Sequence, residues 1–251
     1  FAVGASSDRT LGIPGENLTG SVAATDVVGW YNGHPDHRDA AVTLDHERAV
    51  VVGNGNVALD VARMLTRDFE WLSERTDIAP HALDLLRNSR IREVRILGRR
   101  GPADAAFTVP ELMGLAALTD VDVVVEADPA QLQGDDQRSR LLAELAARPR
   151  STDATRRRIV LTFAVSPVEI LGQDGRVTGV RVARNDLVEG ANGAVVAVPT
   201  SDEYVLDAGL VVRSVGFRGV GLPGLPFDER TGTVPNDRGR VAPGVFVVGW
   251  I

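Results

Sequence analysis

The chain has 251 residues, 44% of them hydrophobic and 24% charged, with a net charge of −7 and no cysteine. That mixture fits a soluble globular fold of one large or two modest domains. The acidic balance argues against a nucleic-acid or membrane-surface binder, and the lack of cysteine excludes disulfides, thiolate metal sites and thiol chemistry. No apolar run approaches membrane-spanning length, no secretory signal is visible, and the expected location is the cytoplasm.

In chain order, residues 1–4 read as a short strand, and residues 5–20, rich in Gly, Ser, Asp and Pro, as a crossover between lobes. Ser21 is placed to cap a helix carrying Ala23, Ala24, Val27, Val28 and Trp30, which Asn32-Gly33-His34-Pro35 ends. A polar loop over 37–47 leads to Ala49-Val50-Val51-Val52, a continuous apolar run that suits a strand buried on both faces of a parallel sheet. Gly53-Asn54-Gly55-Asn56-Val57-Ala58 follows at once. Val57, Val61, Met64 and Leu65 then recur at helical spacing, with Ala58 and Ala62 beside them.

The order is therefore strand, Gly-x-Gly-x-x-Ala turn, helix. Gly53 allows the tight exit from the strand, Gly55 lets backbone approach a pyrophosphate, and the small Ala58 lets helix and strand pack closely. The helix N-terminus offers unpaired N–H groups and the positive end of its dipole to an anion. The pattern in this context points to dinucleotide binding; an ordinary tight strand-to-helix turn is the alternative.

Residues 66–92 interrupt the nucleotide fold with a polar segment and a helix over 80–88 bearing Leu83, Leu85 and Leu86. The next strand, 93–97, runs directly into Gly98-Arg99-Arg100-Gly101-Pro102. A helix is expected over 110–118, a strand over 121–125 and a polar helix over 136–147. After Arg148 the character changes. Residues 158–163, 167–171 and 177–184 read as strands, with Gln173-Asp174-Gly175-Arg176 as an Asp-Gly hairpin turn, together an antiparallel excursion on the edge of the nucleotide domain. Residues 210–214 return to a buried strand, 216–244 are loop, and 245–248 form a final strand.

The arginine pair bears on which dinucleotide fits. An NAD-preferring fold of this type carries an acidic residue at the end of its second strand to hold the ribose 2′-hydroxyl. Here Arg99 and Arg100 stand after that strand, and two guanidiniums suit the 2′-phosphate of NADP(H) through forked, charge-assisted hydrogen bonds. The usual spacing from the glycines is about 20 residues, so residues 66–92 must loop out and return in register. Solvated surface charge is the alternative reading of the pair. Glu111 opens the helix after Ala105-Ala106-Phe107-Thr108-Val109-Pro110; from spacing alone it is a carboxylate favourable against the helix dipole. Arg90, Arg92, Arg95, Arg99 and Arg100 form a local basic cluster that could help dock an acidic carrier, or could serve only phosphates and solubility.

At this point the chain resembles adrenodoxin reductase and the bacterial NADPH–ferredoxin reductases. The resemblance rests on Val51-Val-Gly-Asn-Gly-Asn-Val-Ala-Leu-Asp-Val-Ala-Arg63 and on Leu97-Gly-Arg-Arg-Gly-Pro102 with Ala106-Phe-Thr108 and Glu111-Leu112. Val28-Gly-Trp-Tyr-Asn-Gly-His-Pro35, Arg213-Ser-Val-Gly216 and Val248-Gly-Trp250 also fit, so it runs along nearly the whole chain. It implies an α/β flavoprotein in which a Rossmann-like three-layer NADPH-binding domain is inserted into an FAD-binding domain. Residues 10–209 would be the NADPH-binding domain, with a parallel sheet and the antiparallel excursion, and residues 1–9 and 210–251 would be remnant strands of the FAD-binding domain.

By the same resemblance, hydride passes from NADPH to FAD and electrons pass on to a ferredoxin-type iron–sulfur protein. Asn54, Gly55, Asn56 and Val57 would contact the pyrophosphate, Arg99 and Arg100 the 2′-phosphate, Glu111 would lie near bound NADP(H), and Trp250 on the FAD side. The family's FAD glycine motif would precede Phe1 and its closing segment would follow Trp250. The chain is therefore expected to be a fragment that binds NADP(H) without retaining FAD and without catalysis. Two other readings are an FAD/NADPH oxidoreductase like the small subunit of glutamate synthase, from which Ala106-Phe-Thr108 argues away, and a non-catalytic NADP-sensing module.

Overall fold

The structure is a computed structural model and describes residues 1–5, 7–153, 155–190 and 193–249. Numbered along the chain, its elements begin with β1 (Ser7–Asp8), β2 (Ser21–Ala23), α1 (Ala24–Tyr31), β3 (Arg48–Val52) and α2 (Asn56–Thr66). Next come α3 (Phe69–Arg75), α4 (Pro80–Arg87), β4 (Glu93–Gly98), α5 (Val109–Ala116), β5 (Asp122–Glu126) and α6 (Gln137–Ala147). The last part holds β6 (Arg158–Phe163), β7 (Val165–Gln173), β8 (Arg176–Glu189), β9 (Val195–Asp207), β10 (Leu210–Arg213), β11 (Phe217–Arg218), β12 (Arg240–Ala242) and β13 (Val245–Phe246). They fall into two compact units, Leu11–Ser214 and the paired segments Phe1–Thr10 and Val215–Ile251.

The larger unit is built on a six-stranded parallel sheet of order β2-β10-β3-β4-β6-β5. Alternate residues of its strands, among them Val51, Val94, Ile96, Ile159, Leu161 and Val212, join one core with residues of all six helices, such as Val27, Leu59, Leu72, Leu86, Leu112 and Leu142. The neighbours Val50, Val52, Leu97, Val160 and Val211 face the other way and are buried as well. On that second face a groove is lined by Arg48, Val50, Glu93 and Arg95 of the parallel sheet together with Val205 and Asp207 of β9. The antiparallel sheet β7-β8-β9 therefore covers the face that the helices leave open, and the unit has three layers.

Connection handedness accounts for the place of the antiparallel sheet. The steps from β2 to β3 and from β3 to β4 run one way along the sheet, with helices on one face. The return from β6 to β10 runs the opposite way, and a right-handed return then crosses the opposite face, where β7, β8 and β9 lie.

Several expectations change. Residues 158–163 are not part of the antiparallel excursion: β6 pairs in parallel with both β4 and β5, deep in the main sheet. The excursion is completed instead by β9, which the sequence reading did not assign, and it lies over a sheet face rather than at an edge. Ser21 caps no helix, because residues 21–23 are a strand beside β10, and α1 starts without a side-chain cap. β10 sits between β2 and β3 with Leu210, Val211 and Val212 fully buried, and the larger compact unit runs on to Ser214. Asp174 and Gly175 both take positive φ, 52° and 76°, as the Asp-Gly hairpin requires.

The smaller unit consists of short antiparallel pairs, β1 with β11 and β12 with β13. Residues 1–4 form no strand; Phe1 instead donates its terminal amine to the Phe246 carbonyl (2.7 Å) and accepts from Val248 N–H (3.0 Å). The final strand is shorter than expected, and Phe246 and Val248 are exposed rather than buried.

Candidate functional site

All six parallel strands end on one edge, and β3 lies between β4, to which the chain goes on directly, and β10, which it reaches only on its return along the sheet. Such a reversal opens a crevice outside the carboxyl ends of the strands. Gly53 follows β3, Gly98 ends β4 and Ser214 follows β10. Gly53 leaves β3 with φ of 103°, a conformation costly to any residue with a Cβ, while its N–H donates to the Leu97 carbonyl at 2.9 Å.

Gly55 caps α2 in extended geometry, and a Cβ there would meet no heavy atom within 4 Å. Its carbonyl accepts from Ala58 and Leu59 N–H, whereas the N–H groups of Asn56 and Val57 find no acceptor among the described residues. The first turn of α2 carries no acidic side chain. The turn is thus an open cradle of backbone donors at a positive dipole end, chemistry that suits a phosphate group. Ala58 is fully buried, as the close helix-to-strand packing requires.

The two asparagines of the turn reach sideways. Asn54 Oδ1 accepts from Ala106 N–H (3.4 Å) and Asn56 Oδ1 from Thr108 N–H (2.8 Å), which anchors the Ala106-Phe-Thr108 segment against the glycine turn. A Cβ at residue 98 would stand 2.5 Å from Asn54 Nδ2, so Gly98 makes room for the first of these contacts. Phe107 is buried between the anchors.

The long spacing between the glycines and the arginines resolves in three dimensions. Residues 66–92 fold away as α3 and α4, and β4 returns in register with β3, Arg48 opposite Glu93 and Val52 opposite Leu97. Arg99 and Arg100 therefore emerge at the same edge as Gly53. The Arg99 side chain is exposed and has no ion-pair partner among the described residues; Arg100 is half-buried, 4.0 Å from Asp104. Their backbone is held by Asn185 of β8 and by Ala164, between β6 and β7. Asn185 Nδ2 donates to the Arg99 carbonyl (2.7 Å), and Ala164 N–H donates to the Arg100 carbonyl (3.1 Å). Nothing in the sequence marked Asn185, since a lone asparagine in a strand carries no motif.

Glu111 lies in the first turn of α5 but is engaged beyond the helix dipole. It accepts from Arg63 Nη2 of α2 at 3.0 Å, and Arg63 also pairs with Asp60. Gly114 leaves space for that guanidinium, which would sit 2.9 Å from a Cβ. Tyr31 of α1 stands near the same charges. Burial, with the Asp60 carboxylate adding to it and Arg63 opposing, pushes its phenol up to about 12.

The expected basic cluster is not one patch. Arg92 precedes β4 and Arg99 follows it, so roughly 20 Å separates them at the strand rise of about 3.3 Å per residue. Arg95, between them, turns to the second face of the sheet and pairs with Glu93 and Glu126. Trp250 lies outside the described residues.

No family model matches the chain. NADPH-ferredoxin reductase FprA of Mycobacterium tuberculosis is 50% identical over 263 residues, an alignment that takes in 100% of this chain and 57% of that protein. The mitochondrial NADPH:adrenodoxin oxidoreductase of Arabidopsis thaliana is 37% identical over 279 residues, covering 100% of this chain and 58% of the relative. Among solved structures, Mycobacterium tuberculosis FprA in complex with NADPH superposes with a TM-score of 0.90 at 50% identity, covering 99% of this chain and 57% of that one. The chain thus spans a little over half the length of the curated relatives it matches. Identity at this level, sustained from end to end with the same fold, makes the chain a close homologue of a little over half of the NADPH-ferredoxin reductases and adrenodoxin oxidoreductases it matches.

Proposed function

We propose that the Leu11–Ser214 unit binds NADP(H), with the pyrophosphate at Gly53, Asn54, Gly55, Asn56 and Val57 and the 2′-phosphate at Arg99 and Arg100. One observation carries the reading. The parallel register of β3 and β4 delivers an open glycine turn and two available guanidiniums to the same edge of the sheet. The turn supplies N–H donors without a competing carboxylate, and the arginines supply forked donors of the geometry that phosphate accepts. Glu111, fixed by Arg63, would lie beside the nucleotide as a carboxylate held in place. NADPH, when bound, supplies a hydride.

For the complete protein we propose the activity that the names of its relatives state, passage of electrons from NADPH to a ferredoxin, with FAD as the carrier between them and an iron–sulfur protein as the acceptor, as the sequence resemblance implies. Residues 1–9 and 215–251, Trp250 among them, would belong to the FAD-binding part. The full-length homologue with a ferredoxin acceptor is the assay for that activity.

The nucleotide reading is tested on this chain by calorimetric titration with NADP⁺ and NAD⁺. NADP⁺ is expected to bind more tightly, and Arg100→Ala to remove about 1–3 kcal/mol of NADP⁺ binding with little change for NAD⁺. Equal binding of the two nucleotides by the native chain would refute the arginine assignment.

A further inference from the structure

Arginine side chains are long and flexible, and two of them on a surface turn would spread over many rotamers. The structure restrains the turn in an unexpected way. Two successive carbonyls are taken by donors from beyond the turn, that of Arg99 by Asn185 of the antiparallel sheet and that of Arg100 by Ala164, the residue that joins β6 to β7. These carbonyls belong to the two peptide planes on either side of the Arg100 Cα. Fixing both planes fixes φ and ψ of Arg100, and with them the direction in which its side chain leaves the backbone.

The donors are themselves tightly set. Asn185 is 8% exposed and lies where the register between β8 and β9 shifts, just past the Val165–Arg184 pair at which β7 begins. Its Nδ2 bridges the Arg99 carbonyl and Ser166 Oγ (2.9 Å), and its N–H donates to the Ala164 carbonyl at 2.8 Å. Ala164, between β6 and β7, has φ of 54°, and that turn aims its own N–H at the Arg100 carbonyl. Asn185 and Ala164 thus hold each other and together hold the arginine turn. Ordinary strand pairing needs none of this: the side-chain amide, the positive φ and the register shift all converge on one dipeptide.

We propose that Asn185 is a positioning residue for nucleotide specificity: through the Arg99 carbonyl and Ala164 it sets the orientation of Arg100, and so the preference for a 2′-phosphorylated dinucleotide. The inference rests on the NADP(H) reading above. It assigns part of the discrimination between NADP(H) and NAD(H) to a residue that reaches no ligand, held in the sheet layer opposite the helices.

The test is a double-mutant cycle in nucleotide binding on the 251-residue chain, with NADP⁺ and NAD⁺ titrated into the native chain, Asn185→Leu, Arg100→Ala and the double variant. Leucine keeps the volume and removes the donor. Asn185→Leu is expected to weaken NADP⁺ binding about tenfold, the scale of a lost hydrogen bond to a buried acceptor, and to leave NAD⁺ binding unchanged. In the Arg100→Ala background the same substitution should have no further effect, because Asn185 acts only through Arg100. A merely structural role would lower both affinities together and persist in the double variant. Where Asn185→Leu fails to fold, Asn185→Ala removes the same donor and carries the same expectations. If Arg100→Ala abolishes the NADP⁺ preference while the Asn185 variant keeps it, the positioning role is overturned and the binding site stands. If the native chain binds neither nucleotide, or both equally, the NADP(H) reading falls and the positioning role with it.

Discussion

At Gly53 the backbone takes φ of 103°, and two residues later Gly55 returns to −82° with open space where a side chain would stand. The same residue type therefore serves two requirements, and the same substitution separates them. Gly53→Ala forces a Cβ into a strained conformation at the exit of a buried strand and is expected to cost about 1–3 kcal/mol of stability in urea unfolding. Gly55→Ala meets no clash and loses less than about 1 kcal/mol at the helix cap. Its methyl group stands where backbone would approach a pyrophosphate, so NADP⁺ binding should weaken about tenfold, ~1.4 kcal/mol. A Gly55→Ala variant that binds as well as the native chain would move the pyrophosphate away from this turn. Tyr31 tests the neighbouring charges. Its phenol is raised from 10.0 to about 12, first by burial and then by Asp60. A group with a raised folded-state value contributes stability that is present below the unfolded value and lost as pH rises through the folded one. The native chain should therefore lose stability between pH 10 and about 12, and Tyr31→Phe should lose less. The phenolate absorbance attributed to Tyr31, native minus variant, should appear only near the upper end of that range.

At the scale of elements, the anchoring of one loop by another decides the shape of the crevice. Thr108 N–H donates to Asn56 Oδ1 at 2.8 Å, so Asn56→Ala should expose that amide. Its hydrogen exchange, followed by NMR, is expected to speed up about fivefold, in line with a net ~1 kcal/mol hydrogen bond, while Ala106, at 3.4 Å from Asn54, changes little. The glycine turn and its helix could be read directly from the sequence, since an apolar run, two glycines and a 3.6-residue repeat leave one local solution. Residues 158–163 were harder, because a run such as Arg-Ile-Val-Leu-Thr-Phe is apolar throughout and says nothing of direction or neighbours. Strand β9 carries no legible pattern, for the opposite reason. Val195–Asp207 mixes polar residues with Pro199 and is largely exposed, as an edge strand that tolerates proline can be. Arg99 and Arg100 stood out as a charged pair after a strand. The holding of their carbonyls by Asn185 and Ala164 is a tertiary contact between residues more than sixty positions apart, and no local pattern encodes it.

At the scale of the whole molecule, the larger unit is one continuous stretch whose two ends, Leu11 and Ser214, are clasped together. The Glu16 carboxylate is almost fully buried and accepts from the N–H groups of Leu11 and Gly12, the latter at 2.8 Å. Arg213, the last residue of β10, places Nη1 3.3 Å from Glu16 Oε1 and 3.2 Å from the Glu16 carbonyl. The side chains are 9% and 16% exposed, so the pair lies largely out of water. Removing one partner of such a pair leaves a buried charge without compensation, which is costlier than the pair itself is stabilising. Arg213→Ala is accordingly expected to destabilise the Leu11–Ser214 unit by about 3 kcal/mol, read as a lowered urea midpoint. Because β10 still pairs with β2 and β3, the sheet should persist and the slope of the transition should stay the same. Arg213→Ala together with Glu16→Ala removes both charges, and the double variant should recover part of that loss. A single variant within about 0.5 kcal/mol of the native chain would mean that strand pairing alone holds the two ends, and that the charges at the clasp are already satisfied by solvent.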